Sequence, residues 1–306
     1  MPPPPPPELA DDLLGEVFLR LPPDDPACLL RASLVCKRWR RILADPAFRH
    51  RHRELHRTPS VVGFLRNAEG VAPYASRFVP NNPASGRPAA RDLPGRVVLD
   101  CRHGRVLFLA PSPSLCIQLN YDLIVWDPLT NEQRCLPRSS PPPNDVSCNA
   151  AVLCAAAEGC DHRKCHGGPF HVAFIWRHGL VMYARVYSSE RHNWSEVISV
   201  QELSRILHPM SPCCITLVGD TLYFHYTLKY ALEYQLGAQL LSIIEGPPRP
   251  VSRIWAIFVM PMGDSGLGCM DIEEDESSLH LQLWSRQAAS DSDEVARWTR
   301  GRAIDL

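Results

Sequence analysis

At 306 residues the chain has room for about two domains, and 45% hydrophobic with 21% charged residues is a globular balance. A net charge of -1 argues against a chain given over to nucleic-acid binding; no run approaches the roughly 18 apolar residues of a membrane span, and Met1 is followed by six prolines instead of a basic and apolar signal peptide. The twelve cysteines are therefore expected as small buried apolar residues of a cytosolic or nuclear protein, not as a disulfide scaffold.

Residues 1–7 read as an extended polyproline tail. Apolar residues then fall at two helical spacings, Leu9, Leu13, Val17 and Leu21 on one line with Leu14 and Phe18 on the next. Asp11 and Asp12 suit the positive end of the helix dipole, and Pro22-Pro23 should stop the helix at Leu21. Asp24 or Asp25 ahead of Pro26 predicts a short second helix through Leu29, Leu30 and Ala32. Ser33 is the expected cap of a third, carrying Val35, Cys36, Trp39, Ile42 and Leu43. Asp45-Pro46 starts a fourth through Phe48 and Leu55. A helical module this small rarely stabilises itself without a disulfide, a metal or a partner, and it has more apolar stripes than it can bury on itself.

The run Leu9, Leu13-Leu14, Glu16-Val17-Phe18, Arg20-Leu21-Pro22, Leu29-Leu30, Ser33, Val35-Cys36-Lys37-Arg38-Trp39 resembles the F-box motif. Ala10 stands where F-boxes usually carry proline. The resemblance implies docking on a Skp-type adaptor and, through it, a cullin, with Leu9, Leu13, Val17, Leu21, Pro22, Leu29, Val35, Cys36 and Trp39 as the docking candidates; some of these must also form the module's own core.

Beyond residue 56 the helical periodicity ends. Residues 61–65 read as a first strand, and short β-rich runs separated by turn residues follow. Trp126, Tyr187, Tyr234 and Trp284 occupy like positions in four copies of one theme, at intervals of 61, 47 and 50 residues. That spacing suggests propeller blades, with residues 139–169 as an insert loop that lengthens the first interval. Asp100-Cys101-Arg102-His103-Gly104-Arg105, Val125-Trp126-Asp127-Pro128 and Leu281-Gln282-Leu283-Trp284-Ser285-Arg286 resemble the kelch-like, F-box-associated domain of plant F-box proteins. The expected fold is thus α+β in two domains: an all-α F-box module at residues 8–56, then an all-β propeller-like domain at 57–306. There is room for about four or five blades, so the ring is expected either to close with the strand near residues 61–65 or to remain an open, truncated arc.

Two other classes of function have their own residues. Arg38, Arg40, Arg41, Arg49, Arg51 and Arg53 could line a DNA-reading helix, but Trp39, Ile42 and Leu43 interleave with them and a solvated cationic face is the expectation. Cys160, His162, Cys165 and His166 have spacings that touch the zinc range, yet the adjacent Cys165 and His166 seldom reach one tetrahedral ion together. No metal or other cofactor is therefore expected. No nucleophile with its base, P-loop or HExxH motif is present. The sequence thus points to a non-enzymatic substrate receptor of a Skp-cullin-F-box ubiquitin ligase, its target protein unidentified, with no membrane or nucleic-acid partner.

Overall fold

The computed structural model describes residues 9–21, 26–56, 61, 63–68, 75–81, 90–111, 121–128, 130–137, 148–155, 160, 162, 165–201, 215–225, 230–248, 254–263, 266–274, 279–287 and 297–305. It forms two compact units, Met1–Pro94 and Gly95–Leu306. The expected polyproline tail and Pro22 lie outside the described residues.

The first unit begins with four helices: α1 (Asp11–Leu19), α2 (Pro26–Val35), α3 (Lys37–Ala44) and α4 (Pro46–Leu55). Helix α1 ends before Leu21 because the Arg20 and Leu21 N–H groups donate to the carbonyls of Val17 and Phe18, three residues back, which tightens the last turn. The expected cap at Ser33 is corrected. Ser33 lies inside α2, where its hydroxyl donates to the Leu30 carbonyl at 2.6 Å, and the break falls at Cys36. Cys36 adopts an extended backbone and its sulfur accepts from the Trp39 N–H, capping α3. Asp45 caps α4 with Pro46 at its first position, as the sequence suggests. The helical core is small: Leu14, Phe18 and Ala32 are buried, with Leu21, Leu29, Trp39, Ile42, Leu43 and Phe48 packed around them. The same unit ends in an antiparallel sheet of β1 (Gly63–Asn67), β2 (Ala75–Pro80) and β3 (Arg91–Pro94).

The second unit consists of four antiparallel sheets in chain order: β4 (Val97–Arg102) to β7 (Gln133–Cys135) through β5 (Arg105–Pro111) and β6 (Tyr121–Trp126); β8 (Cys148–Cys154), β9 (Phe170–His178), β10 (Val181–Ser188) and β11 (Asn193–Trp194), with β12 (Ile198–Gln201) also paired to β10; β13 (Ile215–Val218), β14 (Thr221–His225), β15 (Tyr230–Gln235) and β16 (Leu240–Glu245); and β17 (Ile254–Met262), β18 (Gly266–Glu274), β19 (Leu279–Gln287) and β20 (Arg297–Asp305). Among the described residues the fold is therefore four helices followed by an all-β region of five blade-like sheets, a propeller-type organisation. Trp126, Tyr187, Tyr234 and Trp284 sit on the third strand of their four sheets, and all four are buried.

The core of this unit lies between consecutive sheets. Leu107, Leu123 and Val125 meet Ala150, Val152 and Phe174. Ala151, Leu153 and Ile175 meet Leu222, Phe224 and Tyr234. Tyr223, Ala231 and Ile244 meet Leu267. Successive residues of β8 thus face opposite neighbours, which is why the run Ala150-Ala151-Val152-Leu153 is apolar on both faces of the strand. Polar contacts tie the same sheets: the Trp194 indole donates to the Pro137 carbonyl at 2.8 Å, the Thr216 hydroxyl to that of Val259 at 2.6 Å, and the Trp298 indole to that of Glu245 at 2.9 Å. The expected insert at residues 139–169 is not wholly an insert. Its stretch Cys148–Cys154 is β8, paired along its length with β9 and buried at five positions.

Candidate functional site

Helix α1 divides its two apolar lines between inside and outside. Leu14 and Phe18 turn inward, Phe18 being 3% exposed and meeting the Trp39 ring edge-on at 5.1 Å. Leu9, Leu13 and Val17 are each about half exposed, Leu13 at 54%. Of the other docking candidates, Leu21, Leu29 and Trp39 pack against the helical core. Val35 and Cys36 are exposed. Two residues that the sequence reading left out join them on α2: Leu30 and Leu34, the latter 76% exposed, the pair spaced four residues apart on one face. The signal for Leu34 was present in that spacing from Leu30, but a leucine beside Val35 in a short apolar helix reads equally as core.

Three arginines of α3 and α4 are drawn toward α1. Arg38 Nε donates to Asp11 Oδ1 at 2.6 Å, Arg41 reaches Asp11 Oδ2 at 3.0 Å, and Arg38 also donates to the Leu9 carbonyl. Hydrogen bonding by Arg38 holds the Asp11 carboxyl below its usual range against the opposing effect of desolvation. Arg51 pairs with Glu16. Three members of the cationic run therefore serve to dock α3 and α4 on α1. The His56 ring donates through Nε2 to the Leu19 carbonyl at 2.8 Å and lies 4.5 Å from the His52 ring, tilted by 54°.

The second unit holds a cavity of about 680 Å³. Its walls are turns between strands, contributed by three different sheets: His103 between β4 and β5, Glu190 and Arg191 after β10, Asp220 between β13 and β14, and Gln239 before β16, with His171 at the start of β9. The β4–β5 connection is a two-residue turn with both φ values positive, His103 at 52° and Gly104 at 74°, which explains the His-Gly pair in the Asp100–Arg105 run. The lining mixes both signs of charge with imidazoles. The loop cysteines do not scatter: Cys160, His162 and Cys165 come together with Cys154, the last residue of β8. The side chain of His166 lies outside the described residues.

Residues 7–51 match the F-box domain family. The chain thus carries an F-box domain at its N-terminus, formed by the four helices, ahead of the blade-like sheets. No curated protein matches the chain. Among solved structures it is similar to a chain of the mitotic checkpoint complex (10% identity, TM-score 0.33, 67% of this chain and 62% of that one). It is also similar to the WD40 repeats of RRP9 (9%, 0.32, 60% and 54%) and to a polysaccharide lyase, an ulvan lyase (8%, 0.39, 78% and 65%). The chain spans less than two thirds of each of these. Similarity at such TM-scores carries no argument about function. Among the described residues no helix is long and apolar enough to cross a membrane.

Proposed function

We propose that this protein is the substrate-receptor subunit of a Skp-cullin-F-box ubiquitin ligase. Its F-box docks a Skp-type adaptor and through it a cullin, while the β region, of the kelch-like F-box-associated type, holds a target protein. The observation that carries this role is the exposed apolar line of Leu9, just ahead of α1, with Leu13 and Val17 on it, joined by Leu30, Leu34 and Val35 on α2. Among the described residues of the helical module four apolar side chains are buried, Leu14, Phe18, Leu19 and Ala32, while these six are left to solvent, and large apolar groups exposed in rows at helical spacing mark a protein contact. Leu21, Leu29 and Trp39 then serve the contact by holding the helices, and Cys36 by ending α2 where α3 must turn.

The protein works by proximity. A bound target is held at high effective concentration near a ubiquitin-loaded enzyme, and the receptor makes or breaks no bond itself. Its place of work is the cytosol or nucleus. Affinity purification of the full chain, against a Leu13→Asp, Val17→Asp double variant, tests this. Adaptor and cullin should be recovered with the native chain and lost with the variant, because a carboxylate buried unpaired in an apolar contact costs several kcal/mol, roughly. Equal recovery of both from the two proteins would overturn the proposal.

A further inference from the structure

We propose that Cys154, Cys160, His162 and Cys165 form a structural zinc site that fastens the end of β8 to the segment leading into β9. The ligand atoms of these four residues all lie within 4.8 Å of one another. Two of the spacings can be set against a tetrahedron. With zinc–sulfur bonds of about 2.3 Å, two sulfurs on one zinc are separated by about 3.8 Å, and with a zinc–nitrogen bond of about 2.0 Å a sulfur and a nitrogen by about 3.5 Å. The Cys154 and Cys160 sulfurs are 3.8 Å apart, and the Cys165 sulfur lies 3.7 Å from His162 Nδ1. A disulfide would need the sulfurs at about 2.05 Å.

The ligands come from two places in the fold, which the sequence spacing alone did not offer. Cys154 is fixed by the β8 ladder, where it pairs with Phe170 of β9, whereas Cys160, His162 and Cys165 follow in the connection. Cys165 opens a short 3-10 turn, Cys165–Gly167, and is itself buried. Three thiolates and a neutral imidazole fill four positions, so no place is left for a catalytic water. Binding releases three thiol protons and leaves the site with one net negative charge.

The surroundings answer that charge and that geometry. Arg105, 2% exposed, donates through Nη2 to the carbonyls of Cys165 and Gly168 at 2.5 and 2.6 Å, and its buried Nη1 has no hydrogen-bond partner among the described residues. A guanidinium buried against this turn suits an anionic zinc–thiolate group, since a buried charge needs an opposite one. The His162 ring packs 4.1 Å from that of His103, whose turn lines the cavity, as do Cys154 and His162 themselves. Zinc here fixes one wall of the cavity, doing for a polar connection what apolar packing does for the strands.

The test uses the full chain, produced with zinc in the medium and purified with no polyhistidine tag. Elemental analysis should find one zinc per chain, and cobalt(II) exchanged into the protein should give the strong visible absorption of a tetrahedral thiolate complex. Cys154→Ser and Cys160→Ser should each lose most of the zinc and that absorption, whereas Cys135→Ser, at an exposed strand end outside the cluster, should keep both. Should the serine variants fail to fold, chelator-stripped native protein keeps the question open to measurement: adding back zinc alone should restore one equivalent and raise the melting temperature. The proposal is overturned by native protein that takes up neither zinc nor cobalt, by a Cys154–Cys160 disulfide in freshly isolated protein, by stoichiometric iron with sulfide, or by Cys154→Ser holding zinc as tightly as the native chain.

Discussion

Leu13 and Leu14 are neighbours in the chain with opposite surroundings, one 54% and the other 7% exposed. Truncating one residue on the inner line and one on the outer should separate folding from docking. Phe18→Ala, which empties the centre of the helical core, should cost about 3–5 kcal/mol of F-box stability, and Leu13→Ala should change it by less than about 0.5 kcal/mol; denaturant unfolding followed by helical circular dichroism measures both. His52 gives the same helices a pH dependence. Burial first, and the neighbouring His56 second, lower its pKa from 6.5, and its buried Nε2 has no partner among the described residues. At weakly acid pH the unfolded chain then binds the extra proton, so this contribution to stability is complete above pH 6.5 and is lost as the pH falls through the lowered folded value. Melting of His52→Gln should be less sensitive to pH in that range than melting of the native chain; an equal slope would assign the sensitivity elsewhere. The two lines on α1 were legible from spacing, but their assignment to inside and outside was not. Both lines are apolar, and the inward one is the one that meets Trp39 of α3, a helix that Arg38 fastens to Asp11 of α1.

Strand β8 shows the limit of reading elements from local pattern. A strand covered on both faces has no alternation to betray it, and the prolines and glycines around this one suggested a loop. Its burial makes a direct prediction: Val152→Asp, at a residue fully removed from solvent between the first two sheets, should destabilise the β unit by several kcal/mol, roughly, or prevent its folding. A melting temperature within a degree or so of native would return the strand to the status of an insert. The aromatic repeat, by contrast, was readable. Tyr187 and Tyr234 fill space between sheets, Trp126 and Trp284 pack on Phe108 and Cys269 of their own sheets, and the intervals among the four preserve the period even where loops differ in length. The Trp284 indole additionally donates to the buried Asp271 carboxylate at 3.2 Å. Trp284→Phe should therefore lower the melting temperature of the β unit by more than lost area alone explains, because the buried Asp271 carboxylate loses one of its donors.

At the scale of the molecule, function was legible only where a short motif encodes a contact. The helices present apolar rows whose spacing is fixed by the α-helix, so the Val35-Cys36-Lys37-Arg38-Trp39 run could be recognised and its neighbours placed. The cavity could not be read in the same way: its walls come from turns of three sheets, far apart in the chain, and turn residues such as His103-Gly104 report backbone geometry before they report a ligand. The cysteine cluster shares that difficulty, since Cys154 belongs to a strand and its fellows to the connection after it. The most direct measurement of the receptor role is the mass of the complex formed when the purified full chain is mixed with a purified Skp-type adaptor, read by size exclusion with light scattering. One receptor should bind one adaptor in a complex that the Leu13→Asp, Val17→Asp variant does not form while its helical circular dichroism stays native; no complex with the native chain, or an equal complex with a folded variant, would contradict the role assigned to these helices.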